Sequence, residues 1–261
     1  MSRKLLVIAP ALLIVLVSLW EIVATHRDVS SVPGDAAWDA AATIVRADYR
    51  PGDLIEFAPD WIDPVGRLHL GDLIAPGVAA RMDAARYSRI WEVSVRGARA
   101  RDTIGLSPVI EQTIEGVTVR RFERGAAVVV TDFAQALGGA TSDGVHPTLE
   151  LAEVGFAPHQ CVQVIPIPGK PTTLAFHAAA LGGSLVGYVG LADVFTRRDI
   201  RGPGELAVEI DGVRVADVHP GVDDGWVRFE APTTAGLHDV AFTASATAPQ
   251  RLICFAAEAR Q

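Results

Sequence analysis

One arginine-rich stretch and one tryptophan carry the residue types best suited to binding a ligand. The stretch 196–201 (TRRDIR) presents three guanidinium groups, whose forked donors pair with carboxylates, phosphates or sugar hydroxyls. An aromatic face packed on a sugar ring beside such donors is typical of glycan recognition. The competing interpretation pairs these arginines with nearby aspartates and packs the tryptophan into a core. The predicted ligand-binding residues are Asp193, Arg197, Arg198, Asp199, Arg201 and Trp226.

A second candidate for chemistry is the string 143–147 (DGVHP). It resembles the Asp-x-x-His-Pro block of SGNH-type esterases, in which the aspartate orients a histidine that activates a serine. That family places its serine in a Gly-Asp-Ser turn, whereas in this chain leucine follows Gly52-Asp53 and Gly71-Asp72. Asp143 and His146 are therefore the catalytic candidates of an alternative without an evident nucleophile. The competing interpretation is a turn whose aspartate caps the next segment.

Metal binding is considered for a cluster of four side chains within 13 residues, namely Asp60, Asp63, His69 and Asp72. Carboxylates and imidazoles are metal ligands, but this spacing matches neither a calcium loop nor a zinc-binding helix. We therefore predict neither a metal nor a cofactor, and we interpret the cluster as a surface loop. Three single histidines on predicted strands are interpreted as structural, namely His177, His219 and His238.

Two cysteines, Cys161 and Cys254, lie on the first and last strands predicted in the C-terminal half. In an exported protein an even number of cysteines favours a disulfide. Such a bond would close a loop of about 90 residues and contribute about 2–4 kcal/mol. The alternative is two buried free thiols, which pack as small apolar groups. Neither cysteine has the spacing of a zinc site.

The N-terminus predicts a membrane segment. Arg3 and Lys4 precede an apolar run from Leu5 to Trp20, which resumes after Glu21. About 20 apolar residues suffice to cross a hydrocarbon core of about 30 Å, and the basic residues favour a cytoplasmic N-terminus. We predict a single transmembrane anchor over residues 1–25, with the rest periplasmic or extracellular. A cleaved signal peptide is the alternative.

Composition limits the class of partner. The net charge of −8 argues against nucleic acid, which requires a basic face, and against polybasic attachment to anionic lipid. Hydrophobic residues make up 49% of the chain and charged residues 21%, which is typical of folding around an apolar core. The predicted partners are the membrane, through the N-terminal helix, and a glycan or an envelope protein.

Two domains are predicted to position these residues. Residues 34–135 alternate helical and strand patterns, which indicates a small α/β unit, and residues 136–158 are rich in turn formers and predict a linker. Residues 159–261 show eight short strand patterns and an Asp211-Gly212 turn, which predict an all-β sandwich of jelly-roll type. The predicted strands there are Cys161–Ile167, Thr172–His177, Leu185–Leu191, Glu205–Ile210, Val213–Val218, Gly225–Glu230, His238–Ser245 and Arg251–Ala256.

Two partial resemblances accompany this organisation. In the α/β unit, Ala42–Phe57 and Tyr87–Val95 resemble the exported module of bacterial dolichyl-phosphate-mannose-type glycosyltransferases. Those enzymes have many membrane helices and acidic catalytic residues in early exported loops, so the resemblance implies an accessory module and no transferase activity. In the C-terminal half, Leu185–Asp193, Glu205–Val213 and Gly225–Phe229 resemble galactose-binding-like jelly-roll modules, which implies a fold and not a ligand.

Three functional hypotheses follow. The leading one is a non-catalytic, membrane-anchored envelope protein whose sandwich binds carbohydrate or another envelope component, and it requires an exposed Trp226. The second is an envelope hydrolase, which requires Asp143 and His146 to face a pocket with a hydroxyl in hydrogen-bond reach. The third is a structural subunit of a membrane complex, which requires a large apolar patch without converging polar groups.

Overall fold

A four-stranded mixed sheet forms the centre of the first of two units into which the chain divides, Met1–Asp72 with Arg89–Glu123. The structure is a computed structural model that describes residues 3–30, 32–192 and 202–261. The strands of the first unit are β1 (Leu54–Ala58), β2 (Arg89–Val95), β3 (Ile110–Ile114) and β4 (Val117–Glu123). They run in the order β1-β2-β4-β3, with β1 parallel to β2 and the other pairs antiparallel.

Three helices accompany this sheet, namely α1 (Arg3–Ser30), α2 (Asp35–Asp48) and α3 (Asp63–Leu70). Helix α2 buries Ala37, Trp38, Ala41 and Val45, which recur at the three- and four-residue spacing of one helix face. The predicted helix Ala36–Arg46 lies within α2. The sequence pattern therefore located this helix through its apolar face.

A buried carboxylate ties the first sheet together. Glu92 on β2 is fully buried and accepts hydrogen bonds from Arg120 Nη1 and from the Ala100 backbone N–H, both at 2.8 Å, and from Thr103 Oγ1. A buried charge is tolerated only when it is paired and hydrogen-bonded. This network explains why a charged residue occupies the middle of a strand that is otherwise buried on both faces.

Helix α1 does not match the predicted membrane anchor. Among the residues that the structure describes, no helix combines the length and the apolar character that are needed to cross a membrane. The structure therefore does not support a transmembrane anchor over residues 1–25.

The second unit, Leu73–Ser88 with Arg124–Gln261, contains two sheets. Its elements are α4 (Pro76–Ala79), β5 (Val129–Asp132), β6 (Thr141–Ser142), β7 (Thr148–Val154), β8 (Ala157–Val164), β9 (Thr172–Leu181), β10 (Ser184–Leu191), β11 (Gly204–Ile210), β12 (Val213–Val218), β13 (Val227–Pro232), β14 (Gly236–Ala246) and β15 (Ile253–Arg260). The front sheet has the order β13-β10-β15-β8-β7, with β5 also paired to β15. The back sheet has the order β12-β11-β14-β9-β6, and all pairs in both sheets are antiparallel.

The apolar core lies between these two sheets. Phe133, Phe176, Phe242 and Phe255 are buried there, and the rings of Phe242 and Phe255 lie 5.0 Å apart. The strands from β8 to β11 alternate between the front and back sheets, and so do β13, β14 and β15, which is the connectivity of a jelly roll. The predicted β-sandwich is confirmed.

The chain divides at other residues than those predicted from its sequence. Strand β7, Thr148–Val154, lies inside the predicted linker 136–158, yet it is the edge strand of the front sheet. Leu73–Ser88, inside the predicted α/β unit 34–135, belongs to the second unit. Only Pro76–Ala79 of this segment is α-helical, and its Ala80 and Ala85 carbonyls accept hydrogen bonds from the Gln160 and Ala127 N–H groups.

Candidate binding cleft

The front sheet opens where β15 changes its neighbour. Ile253–Phe255 pair with β8, whereas Glu258–Arg260 pair with β5 on the same edge of β15. Because β8 and β5 diverge at this point, a gap forms in the sheet, and Ala256 and Ala257 line it. An interrupted sheet edge exposes backbone and side-chain polar groups that a continuous sheet would use internally.

The segment Leu73–Ser88 forms one wall of this cleft. Its backbone carbonyls accept hydrogen bonds from the front sheet: the Gln160 N–H donates to Ala80 O at 2.8 Å, and Trp226 Nε1 donates to Met82 O at 3.2 Å. These bonds satisfy a segment that is mostly without regular secondary structure. The wall is therefore fixed by the sandwich itself.

The cleft has a volume of about 60 Å³, which is enough space for several water-sized groups. Its polar lining includes Tyr87, Gln135 and Gln160. Within residues 32–192 and 202–261, the side-chain amides of both glutamines and the Tyr87 hydroxyl have no hydrogen-bond partner. These groups are available to a ligand that both donates and accepts hydrogen bonds.

A chain of alternating charges supports the cleft. Arg260 Nη2 lies 2.9 Å from Asp83 Oδ1 and 2.7 Å from Glu258 Oε2. Arg86 donates to Glu258 and, at 2.9 Å, to Asp132 Oδ2. Glu258 is only 2% exposed, so its charge depends on both arginines. The chain joins β15 and β5 to the Leu73–Ser88 wall.

The members of this chain reinforce one another's charges. Burial by itself lowers the pKa of the Arg86 and Arg260 guanidinium groups, but the hydrogen bonds and charges of Asp132, Glu258 and Asp83 outweigh burial and raise both pKa values. Both guanidinium groups therefore stay ionised around neutral pH.

The Tyr87 hydroxyl is the neutral donor of the cleft. Burial raises the pKa of Tyr87 above its usual value of about 10. The phenol therefore stays protonated at neutral pH. It can both donate and accept a hydrogen bond, as the two glutamine amides can.

Trp226 lies beside the cleft, half-buried, and does not form an open platform. Its indole stacks on His159 with ring centroids 4.4 Å apart, and the ring of Tyr188 lies parallel to it at 6.0 Å. One indole face and the indole N–H are thus used inside the protein. The exposed Trp226 that the leading hypothesis required is not observed, because this side chain fastens the Leu73–Ser88 wall to the front sheet.

The other predicted ligand residues lie outside the described residues, namely Asp193, Arg197, Arg198, Asp199 and Arg201. Ala192, which directly precedes this stretch, packs in the same apolar cluster as Trp226. The role of these predicted residues in ligand binding stays a prediction.

Asp143 forms two hydrogen bonds with the backbone of Thr173. Asp143 Oδ1 accepts a hydrogen bond from the Thr173 N–H at 2.7 Å, and the Asp143 N–H donates to Thr173 O at 3.2 Å. His146 is exposed, and neither Asp143 nor His146 lines the cleft. Asp143 thus continues the pairing of β6 with β9, and within the described residues no hydrogen bond or ion pair joins Asp143 to His146.

The structure also separates the four residues of the acidic cluster, Asp60, Asp63, His69 and Asp72. Arg46 donates to both oxygens of Asp72 at 2.6 Å, and His69 Nδ1 lies 2.8 Å from Asp39 Oδ1. Asp63 pairs with Arg67, so Asp63, His69 and Asp72 each contact a residue outside the cluster. The cluster is an ion-paired surface, and its oxygen and nitrogen atoms do not converge.

Cys161 and Cys254, for which the sequence left a disulfide and free thiols open, are joined by a disulfide. Their Cα atoms lie 5.5 Å apart, within the usual range for this bond. The bond links β8 to β15 next to the point where these strands diverge. It packs with Ala152, Val154 and Trp226 on the outer face of the front sheet.

Acidification is expected to destabilise the sandwich through His159. Burial lowers the pKa of the His159 imidazole below its usual value of about 6.5. Between the folded and the unfolded pKa, the imidazole is therefore neutral in the folded chain and protonated in the unfolded chain. Stability from the neutral ring is complete above pH 6.5 and is lost as the pH falls towards the folded pKa.

Calorimetry of His159→Gln should show a smaller loss of thermal midpoint between pH 7.5 and 5.5 than calorimetry of the unmodified chain shows. His146→Gln, at an exposed histidine, is the control, and identical pH slopes for the chain and His159→Gln would refute the assignment.

Comparison with known proteins identifies neither a family nor a function for this chain. No protein-family profile and no curated protein matches this chain. Three similar solved structures contain carbohydrate-binding modules. The CBM51 module of a Clostridium perfringens GH95 enzyme with methyl-galactose is 12% identical and covers 46% of this chain and 86% of that one, with a TM-score of 0.31. A family 35 module from Clostridium thermocellum is 13% identical and covers 51% and 98%, with a TM-score of 0.31.

The third structure is the CBM51-2 and INT domains of Clostridium perfringens ZmpB, which is 9% identical with a TM-score of 0.32 and covers 52% of this chain. The match spans 30% of that protein's length. Similarity at these identities and TM-scores carries no argument about the ligand of this chain. The resemblance of the first unit to exported glycosyltransferase modules stays a prediction.

The cleft residues were not among the predicted ligand residues. They come from segments far apart in sequence; Arg86 and Glu258, for example, are separated by 172 residues. One sequence signal was present: Glu258 and Arg260 interrupt a strand, Ile253–Arg260, that is otherwise rich in apolar and small residues. Charges in a buried strand require partners from elsewhere in the fold.

Proposed function

We propose that the second unit binds carbohydrate in the cleft of the front sheet, with one sugar unit entering edge-on. The observation that supports this is the group of uncommitted side chains, Tyr87, Gln135 and Gln160, held beside a fixed ion-paired wall. Sugar hydroxyls donate and accept hydrogen bonds at once. Amide and phenol groups match them in both roles.

The chemistry of the lining argues against other ligand classes. Arg86 is already paired with Asp132 and Glu258, so an anionic ligand would meet two carboxylates before it met a free guanidinium group. An apolar ligand would bury the glutamine amides without partners, at a cost of about 1–3 kcal/mol for each group. A neutral polyhydroxyl ligand avoids both penalties.

The test is binding of the purified full-length chain to a panel of neutral and acidic glycans by calorimetry. Gln160→Ala is expected to weaken binding of the recognised neutral glycan about tenfold, since one or two hydrogen bonds are lost. Gln163→Ala is the matched control, because Gln163 lies on the same strand but does not line the cleft. Its affinity should equal that of the unmodified chain.

Two outcomes would reject this proposal. One is the absence of saturable binding to every glycan in the panel by a folded protein. The other is equal binding by the unmodified chain and by Gln160→Ala, which would place the sugar elsewhere, with the stretch 193–201 as the next region to vary.

We also propose that the second unit works outside the cytoplasm. The disulfide between Cys161 and Cys254 supports this, because such bonds persist in oxidising compartments and are rare in the cytosol. A cell envelope or extracellular location would bring the cleft to glycans.

A further inference from the structure

We propose that Glu205, Asp217 and His219 form a binding site for a divalent transition-metal ion on the back sheet. The candidate ligand atoms of these three residues all lie within 4.8 Å of one another. Glu205 is on β11, Asp217 is on β12, and His219 directly follows β12. The site is distinct from the cleft, which lies in the front sheet, and it does not depend on carbohydrate binding.

The backbone holds the three residues in place. Strands β11 and β12 are adjacent and antiparallel, with Leu206 opposite Val218. The Gly204 N–H donates to Pro220 O at 3.0 Å, which joins the chain directly before Glu205 to the chain directly after His219. Ligands on two hydrogen-bonded strands need little ordering when an ion binds.

A third strand orients the glutamate. Ser245 Oγ on β14 donates to Glu205 Oε2 at 2.8 Å. This contact leaves Oε1 for an ion. Hydrogen bonds from residues behind a ligand are the usual means of fixing a metal-binding carboxylate.

The spacing of two ligand atoms already fits a metal. His219 Nε2 lies 3.2 Å from Asp217 Oδ1. Two ligands on one tetrahedral Zn²⁺, each about 2.0–2.1 Å from the ion, lie about 3.4 Å apart. The candidate ligand atom of Glu205 lies within 4.8 Å of both, so it must approach them more closely to complete a three-ligand site. Arg214 contacts the other oxygen, Oδ2, of Asp217 at 3.5 Å and leaves Oδ1 directed to the histidine.

The donor set selects the class of ion. Imidazole nitrogen suits Zn²⁺, Cu²⁺, Ni²⁺ and similar ions, whereas Ca²⁺ and Mg²⁺ take oxygen ligands. Two carboxylates and a neutral imidazole carry a formal charge of −2, which balances the ion. Three protein ligands leave at least one coordination position for water.

The experiment is titration of the tag-free full-length chain with ZnCl₂ at pH 7.5 by calorimetry, with CaCl₂ as a competitor. We expect one saturable site that excess Ca²⁺ does not displace. His219→Ala should weaken Zn²⁺ binding at least about tenfold, and Glu205→Gln should weaken it similarly. Because His219 is exposed, its replacement should leave the thermal midpoint of the metal-free protein unchanged.

His177→Ala is the matched control. His177 is an exposed histidine on the same sheet that faces a carboxylate, that of Asp239, at 3.4 Å, but it has no third ligand. Its replacement should leave Zn²⁺ affinity unchanged. The proposal is overturned if no stoichiometric Zn²⁺ binding is found, or if His219→Ala and His177→Ala weaken Zn²⁺ binding equally. It is also overturned if Ca²⁺ binds the site as tightly as Zn²⁺ does.

Discussion

Replacement of Glu258 by alanine should lower the free energy of unfolding of the sandwich by about 3 kcal/mol. The carboxylate is 2% exposed and pairs with Arg86 and Arg260. Without it two guanidinium groups remain side by side, one of them on a side chain that is only 7% exposed. Asp83 and Asp132 still pair with them, which keeps the loss at the lower end of the range for broken buried ion pairs.

Calorimetry of the full-length chain measures this effect. A loss of about 3 kcal/mol should lower the thermal midpoint of the sandwich by about 6–12 °C. Glu230→Ala is the matched control, because Glu230 lies on the outer face of the same sheet and pairs with Arg228 at 2.6 Å, but both side chains are exposed. Exposed pairs contribute at most about 1 kcal/mol. Equal shifts in the two variants would show that burial of Glu258 has no energetic consequence.

Glu258→Gln separates charge from shape at the same position. The amide keeps the volume of the side chain and one acceptor oxygen, but it removes the negative charge between Arg86 and Arg260. If the alternating charges stabilise the cleft wall, this variant should lose most of the stability that the alanine variant loses. If packing dominates, it should retain that stability.

The β-sandwich was predictable because its strands bury alternate residues. On β14, for example, Val240 and Phe242 face the core, whereas Thr243 does not. This period-two pattern is visible in the sequence. Strand β7, TLELAEV, lacks a regular alternation, because its apolar residues stand at positions 149, 151, 152 and 154, and turn formers precede it. At the edge of the sheet, Leu149 and Leu151 stay exposed, so the apolar positions of this strand do not all coincide with its buried positions.

The cleft was not predictable, because it arises from a pairing change and not from a motif. The sequence of β15, Ile253–Arg260, does not indicate that the first part of this strand pairs with β8 and the last part with β5. Nor does local pattern show that Leu73–Ser88 will leave one unit and lie on the other. Long-range pairing of this kind is decided by the sum of tertiary contacts, which overrides local propensity.

Trp226 has structural partners that the sequence around it does not indicate. Its type indicated a binding site, and it does lie beside the cleft. Its partners were not evident: His159 and Met82 are far from it in sequence, yet they occupy one indole face and the indole N–H. A tryptophan offers both a large apolar surface and one donor, and a fold uses both internally when a segment must be fastened to a sheet.

The disulfide between Cys161 and Cys254 should contribute about 2–4 kcal/mol to the stability of the sandwich. The two residues are 93 positions apart, so the bond restricts a long loop of the unfolded chain that contains strands β9 to β14. Replacing both cysteines by alanine removes this restriction without leaving a free thiol. Denaturant unfolding should show the double variant with a lower midpoint and a larger slope, because its unfolded state is less compact.

Reduction of the unmodified chain provides an independent route to the same state. With excess dithiothreitol its midpoint should fall to that of the double alanine variant, whereas the variant itself should not respond to the reductant. The two cysteines are also fully buried, so alanine leaves small cavities that add to the loss in the variant alone. If reduction left the midpoint unchanged while the variant lost stability, the cavities and not the covalent link would account for the effect, and the front sheet would hold β8 against β15 without it.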